Sequence, residues 1–195
     1  MRYILALLIL PVFFSACSGS KKEPSPGPGP EPEKRSSFFP VTSYIKGQIF
    51  DIRRRGINPL YHVTSNNRTD STWLKLEDIE KAVHAFLEPV IDSTNLTSLF
   101  DEKDFLDQTI AAYTFTYEPK ASLPDNMTLR RWDVYIDAES NKVRRIYMVK
   151  KINENQTLQL TWQSNKYCKV VTIGTDSSGN SRVEKEEQIT WDFNQ

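Results

Sequence analysis

Cysteine and histidine are scarce: Cys17, Cys168, His62 and His84 are the only such side chains in 195 residues. That scarcity excludes zinc sites built on paired CxxC or HExxH spacing, and no acidic calcium loop is present. No metal and no cofactor is expected. Neither histidine stands in a recognisable nucleophile motif. Charge of one sign is missing too. The 25 basic and 25 acidic side chains cancel, whereas a nucleic-acid partner calls for a clustered excess of Lys and Arg. Past the first fourteen residues no apolar run approaches the roughly 20 residues that cross a bilayer as a helix. No internal repeat divides the chain.

What is present begins with Met1-Arg2-Tyr3, a single positive charge, followed by about 11 apolar residues from Ile4 to Phe14, interrupted by Pro11. This is the pattern of a signal peptide, too short for a membrane span. The ordinary secretory peptidase needs small residues before its cut, and Phe14 is too large there. Phe14-Ser15-Ala16-Cys17 instead resembles the lipobox of bacterial lipoproteins, with Phe14 where an aliphatic residue is usual. The resemblance implies cleavage before Cys17 and acylation of that cysteine by palmitate-like chains, so that a lipid anchor holds the protein to a membrane of the cell envelope. Two acyl chains suffice for stable anchoring. Loss of Arg2 leaves a mature net charge of −1. With Cys17 lipidated, Cys168 has no partner for an intramolecular disulfide, and the fold must hold by its core.

Residues 17–37 form the lipidated cysteine and a spacer that carries five of the eleven prolines. Proline at alternate positions from Pro24 to Pro32 favours extended polyproline II, a reach of up to ~60 Å; a disordered tail of no selected length accounts for it equally well. A single domain follows over 38–195. Ile45, Ile49 and Ile52 predict a first helix over about 41–54, started at Pro40, capped by Thr42 or Ser43 and stopped by Gly56. Leu60 to Val63 is a short strand candidate, and Ser65 to Ser71 reads as a polar loop. Leu76, Ile79, Val83, Phe86 and Leu87 predict a second amphipathic helix ended by Pro89, with a further turn or two near Leu99 to Leu106.

After Asp107 the period changes from 3.6 to 2. Six strands are expected, at about 109–118, 129–137, 143–152, 157–163, 167–173 and 182–193, joined by hairpin-length breaks into an antiparallel meander. The expected class is α+β: two amphipathic helices packed on a mostly antiparallel meander sheet of about six strands.

Candidate chemistry is thin. Glu80, His84 and Glu88 share i, i+4 spacing that suits metal ligands, but a solvated helix flank explains them more simply. Cys168 alternates with Val170 and Thr172 and reads as a small core residue. Asp133 and Asp137 share a sheet face roughly 13 Å apart, too far for a glycosidase pair, and pairing with arginines is the simpler reading. The doublets Arg130-Arg131, Arg144-Arg145 and Lys150-Lys151 place one charge on each face and suit cross-strand ion pairs. Asn67, Asn95, Asn126 and Asn155 fit N-x-T, and Asp70-Ser71-Thr72 and Asp92-Ser93-Thr94 resemble the O-glycosylation triplet of Bacteroidota; polar loop composition accounts for them equally well.

The wet face of the meander offers the best binding site. There Tyr135 and Tyr147 stand among Arg131, Arg145, Lys151, Thr157, Gln159, Thr161, Gln188 and Thr190, and flat rings beside hydroxyls and amides dock a sugar ring or a protein. β-Propensity alone also puts Tyr and Thr on exposed strands. A helix at Leu76 to Phe86 followed by the run Trp132 to Val143 is similar to the helix and aspartate-turn hairpin of PepSY modules, small exported domains associated with protease inhibition; Asn141 stands where their turn glycine is usual.

The expected function is therefore a membrane-anchored envelope lipoprotein with a non-catalytic binding or structural role, its partner an envelope protein or glycan. The expected place is the outer membrane, with the domain in the periplasm or at the surface; Lys21 and Lys22 lean toward the periplasm. Two alternatives stand beside it: a hydrolase assembling Asp133, Asp137 and Asp192 in three dimensions, and a carrier of a small apolar ligand.

Overall fold

The computed structural model describes residues 37–193; the signal peptide, Cys17 and all of the spacer except Ser37 lie outside the described residues. Helix α1 (Val41–Arg55) leads into a hairpin, β1 (Leu60–Ser65) and β2 (Arg68–Trp73). A 3-10 turn (Leu76–Asp78) and two single-turn helices, α2 (Ile79–Ala82) and α3 (His84–Leu87), come next. Seven consecutive strands complete the order: β3 (Phe100–Asp107), β4 (Ala112–Pro119), β5 (Leu129–Asp137), β6 (Val143–Asn153), β7 (Gln156–Gln163), β8 (Tyr167–Thr175) and β9 (Ser181–Thr190). All nine strands belong to one antiparallel sheet, β2-β1-β9-β8-β7-β6-β5-β4-β3. The meander is β3 to β9, and the hairpin pairs through β1 with the free side of β9.

The six expected strands correspond to β4 to β9, but the α+β class with two helices over six strands is wrong: the described residues are mostly β, with nine strands and one helix longer than a turn. The short strand candidate at Leu60 to Val63 is β1; the two strands with no counterpart in that expectation, β2 and β3, are the sheet's edges and bury little on either face. Every residue of β2 is exposed and only Phe100 of β3 is buried, so neither carries the alternation that marks a half-buried strand. The supposed loop from Ser65 to Ser71 is a hairpin turning at Asn66 and Asn67, both with positive φ (51° and 61°), the conformation a two-residue hairpin turn matched to strand twist requires. The turns expected near Leu99 to Leu106 are instead the charged edge strand β3, a composition that discourages edge-to-edge association.

The second helix is also corrected. Val83 sits at φ −100°, ψ 13°, and the Phe86 N–H bonds the Val83 carbonyl at 2.8 Å, an i→i+3 contact that tightens and interrupts the spiral. Its apolar face survives the break, since Ile79, Val83, Phe86 and Leu87 are all buried. Helix α1 matches expectation closely, with Ile45, Ile49 and Ile52 buried and Gly56 in the left-handed conformation (φ 67°) at its end. Its start differs: no side chain caps it. Thr42 is pulled inward, where its hydroxyl accepts from the Ile91 N–H at 2.8 Å.

The helices and the segment around Ile91 and Leu96 pack on one face of the sheet. Tyr117 stacks on Trp132 at 4.5 Å with rings 8° apart, and Phe38 and Phe100 meet them edge-on at 4.9 and 4.8 Å. Phe86 of α3 meets Trp162 at 5.4 Å, and Trp191 lies 5.1 Å from Trp162. Each such pair contributes about 0.5–1.5 kcal/mol beyond its area. Cys168 belongs to this core and is a free, buried thiol. Lys150 is the one cation buried here among the described residues. Its ammonium donates to the Ala85 and Glu88 carbonyls at the end of α3, a place where positive charge suits the helix dipole.

Candidate binding face

Strand register decides which side chains share the opposite face. Partners directly across an antiparallel ladder point the same way, so one row runs Thr116, Asp133, Tyr147, Thr161, Lys169, Gln188 and His62. A second runs Thr114, Tyr135, Arg145, Gln163, Tyr167, Thr190, Leu60 and Trp73 across β4 to β9, β1 and β2. A third holds Arg131, Val149, Gln159, Val171 and Glu186. Among the described residues no helix packs on this face. Each of the five tentative site residues, Arg131, Tyr135, Arg145, Tyr147 and Gln159, lies on it.

They are not equivalent. The Arg145 guanidinium lies 4.0 Å from the centroid of the Tyr135 ring, a contact worth about 0.5–1 kcal/mol at an exposed site. It holds both side chains in place. Arg131 is committed elsewhere. Its Nη2 donates to the Asp133 carboxylate at 3.1 Å and its Nη1 reaches Glu118 at 3.5 Å. Asp133 is 1% exposed and also accepts from the Thr116 hydroxyl at 2.6 Å. Arg131 thus neutralises a buried carboxylate on this face. Tyr147, next to Asp133 in the register, has its phenol pKa raised by burial and by the Asp133 charge, so it stays a neutral hydroxyl.

The remaining charges on the face are largely compensated within it. Lys169 pairs with Glu186 at 3.1 Å and Lys151 with Glu154 at 2.7 Å. What is left over is Arg145 on its ring and uncharged hydrogen-bonding capacity: Thr157, Gln159, Thr161, Gln163, Gln188 and Thr190. Two depressions lie on the row that starts at Tyr135. A small one of about 130 Å³ is bounded by Ile110, Ala112, Tyr135, Arg144, Arg145 and Gln163. A larger one of about 540 Å³ is bounded by His62, Tyr167, Gln188, Thr190, Lys166 and Phe193. Trp73 and Phe193 meet edge-on at 5.7 Å beside it. Sequence reasoning does not bring these two rings together: Trp73 lies just past the polar loop expected over Ser65 to Ser71 and Phe193 at the end of the last expected strand; the doubled asparagine at 66–67 is the signal for the hairpin that carries Trp73 there.

The three carboxylates of the hydrolase alternative do not converge. Asp133 is held by Arg131 and Thr116. Asp137 accepts the Ser140 N–H at 2.8 Å and the Ser140 hydroxyl at 2.9 Å, closing the β5–β6 turn, and these bonds hold its pKa down. Asn141 takes the left-handed conformation there (φ 55°), the role glycine more often fills. Asp192 follows β9, four strands from β5 and so about 19 Å away along the sheet. Nor do Glu80, His84 and Glu88 form one stripe, since the helix breaks at Val83; among the described residues no cluster of His, Cys, Asp or Glu is arranged to hold a metal.

Of the basic doublets, Arg131, Arg144 and Lys151 find acidic partners, whereas Lys150 is buried against carbonyls and Arg145 against a ring. On the core face a crevice of about 130 Å³ separates Ala82, Ala85 and Phe86 from Leu158, Cys168 and Val170, room for roughly four waters at ~30 Å³ each. At its side the Tyr61 hydroxyl bonds Glu187, and burial, then Glu187, raises the Tyr61 pKa. No described helix is long and apolar enough to cross a membrane. A scan against protein-family models and comparisons with curated proteins and with solved structures find no match.

Proposed function

We propose that this chain is a lipid-anchored lipoprotein of the bacterial envelope, cut before Cys17, whose domain binds an envelope protein or glycan non-catalytically through the sheet face that no described helix covers. The spacer carries the domain away from the outer membrane, and the domain works in the periplasm or at the surface. The observation that carries the binding reading is the contiguity of that face: Tyr135, Tyr147, Arg145 and Gln159, scattered over three strands in sequence, form one surface of rings, amides and hydroxyls on which Arg145 lies against the Tyr135 ring and Arg131, Lys151 and Lys169 are paired with acids. Two exposed rings held edge-on at Trp73 and Phe193 extend it.

On the core face, where a carrier would enclose an apolar ligand, the crevice beside Cys168 holds about 130 Å³, small against the roughly 300–1,000 Å³ of ordinary ligand pockets. The three carboxylates of the hydrolase alternative, Asp133, Asp137 and Asp192, do not converge. Two measurements test the proposal. Mass spectrometry of the native protein should find Cys17 as the first residue, bearing acyl chains; an unmodified thiol or another first residue refutes the anchor. Crosslinking in intact envelopes should lose its adducts when Tyr135→Ala and Tyr147→Ala are combined; adducts that survive refute the face.

A further inference from the structure

We propose that the ligand of this face is a neutral glycan chain lying across the strands, along the row from Tyr135 to Trp73. The inference rests on the binding reading above and assigns its substrate class and subsites.

The row gives the direction. Tyr135 on β5, Tyr167 on β8 and Trp73 on β2 stand in one register line, each three strands from the next. At about 4.8 Å per strand the rings recur every ~14 Å. Between them stand Arg145 and Gln163, then Thr190 and Leu60, with Thr161, Gln188 and His62 in the adjoining row. An elongated ligand along this line meets a ring with its guanidinium brace, an amide, a second ring, a hydroxyl beside an aliphatic side chain, and a third ring. Both depressions, of 130 and 540 Å³, lie on it.

The rings are pre-positioned. Arg145 braces Tyr135, and Phe193 braces Trp73, which leaves Trp73 61% and Phe193 49% exposed. A ring already fixed loses little freedom when a ligand stacks on it. His62 bonds Ser71 through Nδ1 at 2.7 Å, so Nε2 is the ring nitrogen left for a ligand.

The chemistry selects among occupants. Arg131–Asp133, Lys169–Glu186, Lys151–Glu154 and Arg144–Asp137 are paired internally, Arg145 rests on the Tyr135 ring, and the larger depression brings one group of each sign, Lys166 and Asp192; one ring-held cation is not the cluster of like charge that an acidic peptide or an anionic headgroup calls for. An extended peptide gains most from main-chain hydrogen bonds at a sheet edge. From β5 to β1 the strands' own amides are paired within the sheet, and the amides of a peptide lying across them would find side chains only. A neutral sugar polymer has no main-chain amides to satisfy. Its hydroxyls both donate and accept, as Thr, Gln and His side chains do, and its C–H faces stack on aromatic rings.

The test uses the mature full-length lipoprotein in mild detergent. Trp132, Trp162 and Trp191 are all at most 3% exposed, so a ligand-induced change in tryptophan emission reports on Trp73. Titration with xylo-, cello-, manno- and maltohexaose should give a saturable change with at least one of them, and none with hexagalacturonate at the same concentration. In calorimetry Tyr167→Ala and Gln188→Ala should each weaken that binding at least tenfold, with Lys46→Ala on α1 unchanged; near-UV circular dichroism confirms that each variant is folded. No saturable binding of any neutral hexasaccharide, binding of hexagalacturonate alone, or binding indifferent to both face variants overturns the glycan assignment. A protein crosslinked from this face also overturns it while leaving the binding face standing, whereas envelope adducts that survive Tyr135→Ala with Tyr147→Ala remove both.

Discussion

Arg131 and Arg145 look interchangeable in sequence, two arginines on neighbouring strands of one face, yet the structure assigns them different work. Replacing Arg131 by Met keeps the aliphatic stem over the sheet and deletes the guanidinium. Asp133, 1% exposed, then retains only the Thr116 hydroxyl among its side-chain partners. Breaking a fully buried ion pair from one side costs about 3–5 kcal/mol. Because the Arg131 side chain is itself 46% exposed, water reaches part of the vacated position, and about 2–3 kcal/mol is expected. For a domain of about 160 residues that lowers Tm by roughly 5–10 °C. Arg145→Met removes one exposed cation–π contact and should cost no more than about 1 kcal/mol. Urea denaturation followed by circular dichroism measures both. If Arg131→Met costs less than about 0.5 kcal/mol, or no more than Arg145→Met, the buried Asp133 does not depend on its arginine and the division between positioning and ligand-facing residues fails.

Two further outcomes are expected. Burial pushes the Lys150 ammonium down to about 8 from its ordinary 10.5, so between these values the unfolded chain binds more protons and the folded state gains stability as pH rises. Lys150→Met lacks that gain. Relative to the variant, wild type should strengthen from pH 8 to 10.5, by up to about 3 kcal/mol at 1.36 kcal/mol per pH unit, and a difference independent of pH contradicts the burial. Cys168 is fully enclosed and its thiol pKa is raised by desolvation; iodoacetamide should leave it unmodified in the native protein and label it at the rate of global unfolding, and rapid native labelling would contradict the core placement.

How much of this was legible in the sequence follows from burial. The strands β4 to β9 were readable because residues such as Trp132, Val134, Leu160, Trp162 and Ile189 alternate with polar neighbours, and α1 because three isoleucines recur at helical spacing. The strands β2 and β3 were not, since their residues are nearly all exposed and their pairing is set by partners distant in sequence. The second helix had the right face and the wrong regularity: periodicity records which residues are buried, not whether every hydrogen bond between them is i→i+4. The wet-face residues share one face of the sheet because period-2 alternation carries over between paired strands. Charge pairing was not legible at that level. That Arg131 serves a buried Asp133 while Arg145 lies on Tyr135 depends on which groups the sheet encloses.

The central claim is that the sheet face without helices is where this protein meets its partner. A photo-crosslinking amino acid placed at Gln159 on that face, and separately at Lys46 on the exposed side of α1, tests it in living cells. Specific adducts from position 159 and none from position 46 are expected; adducts from position 46 alone, or from neither position, would contradict it.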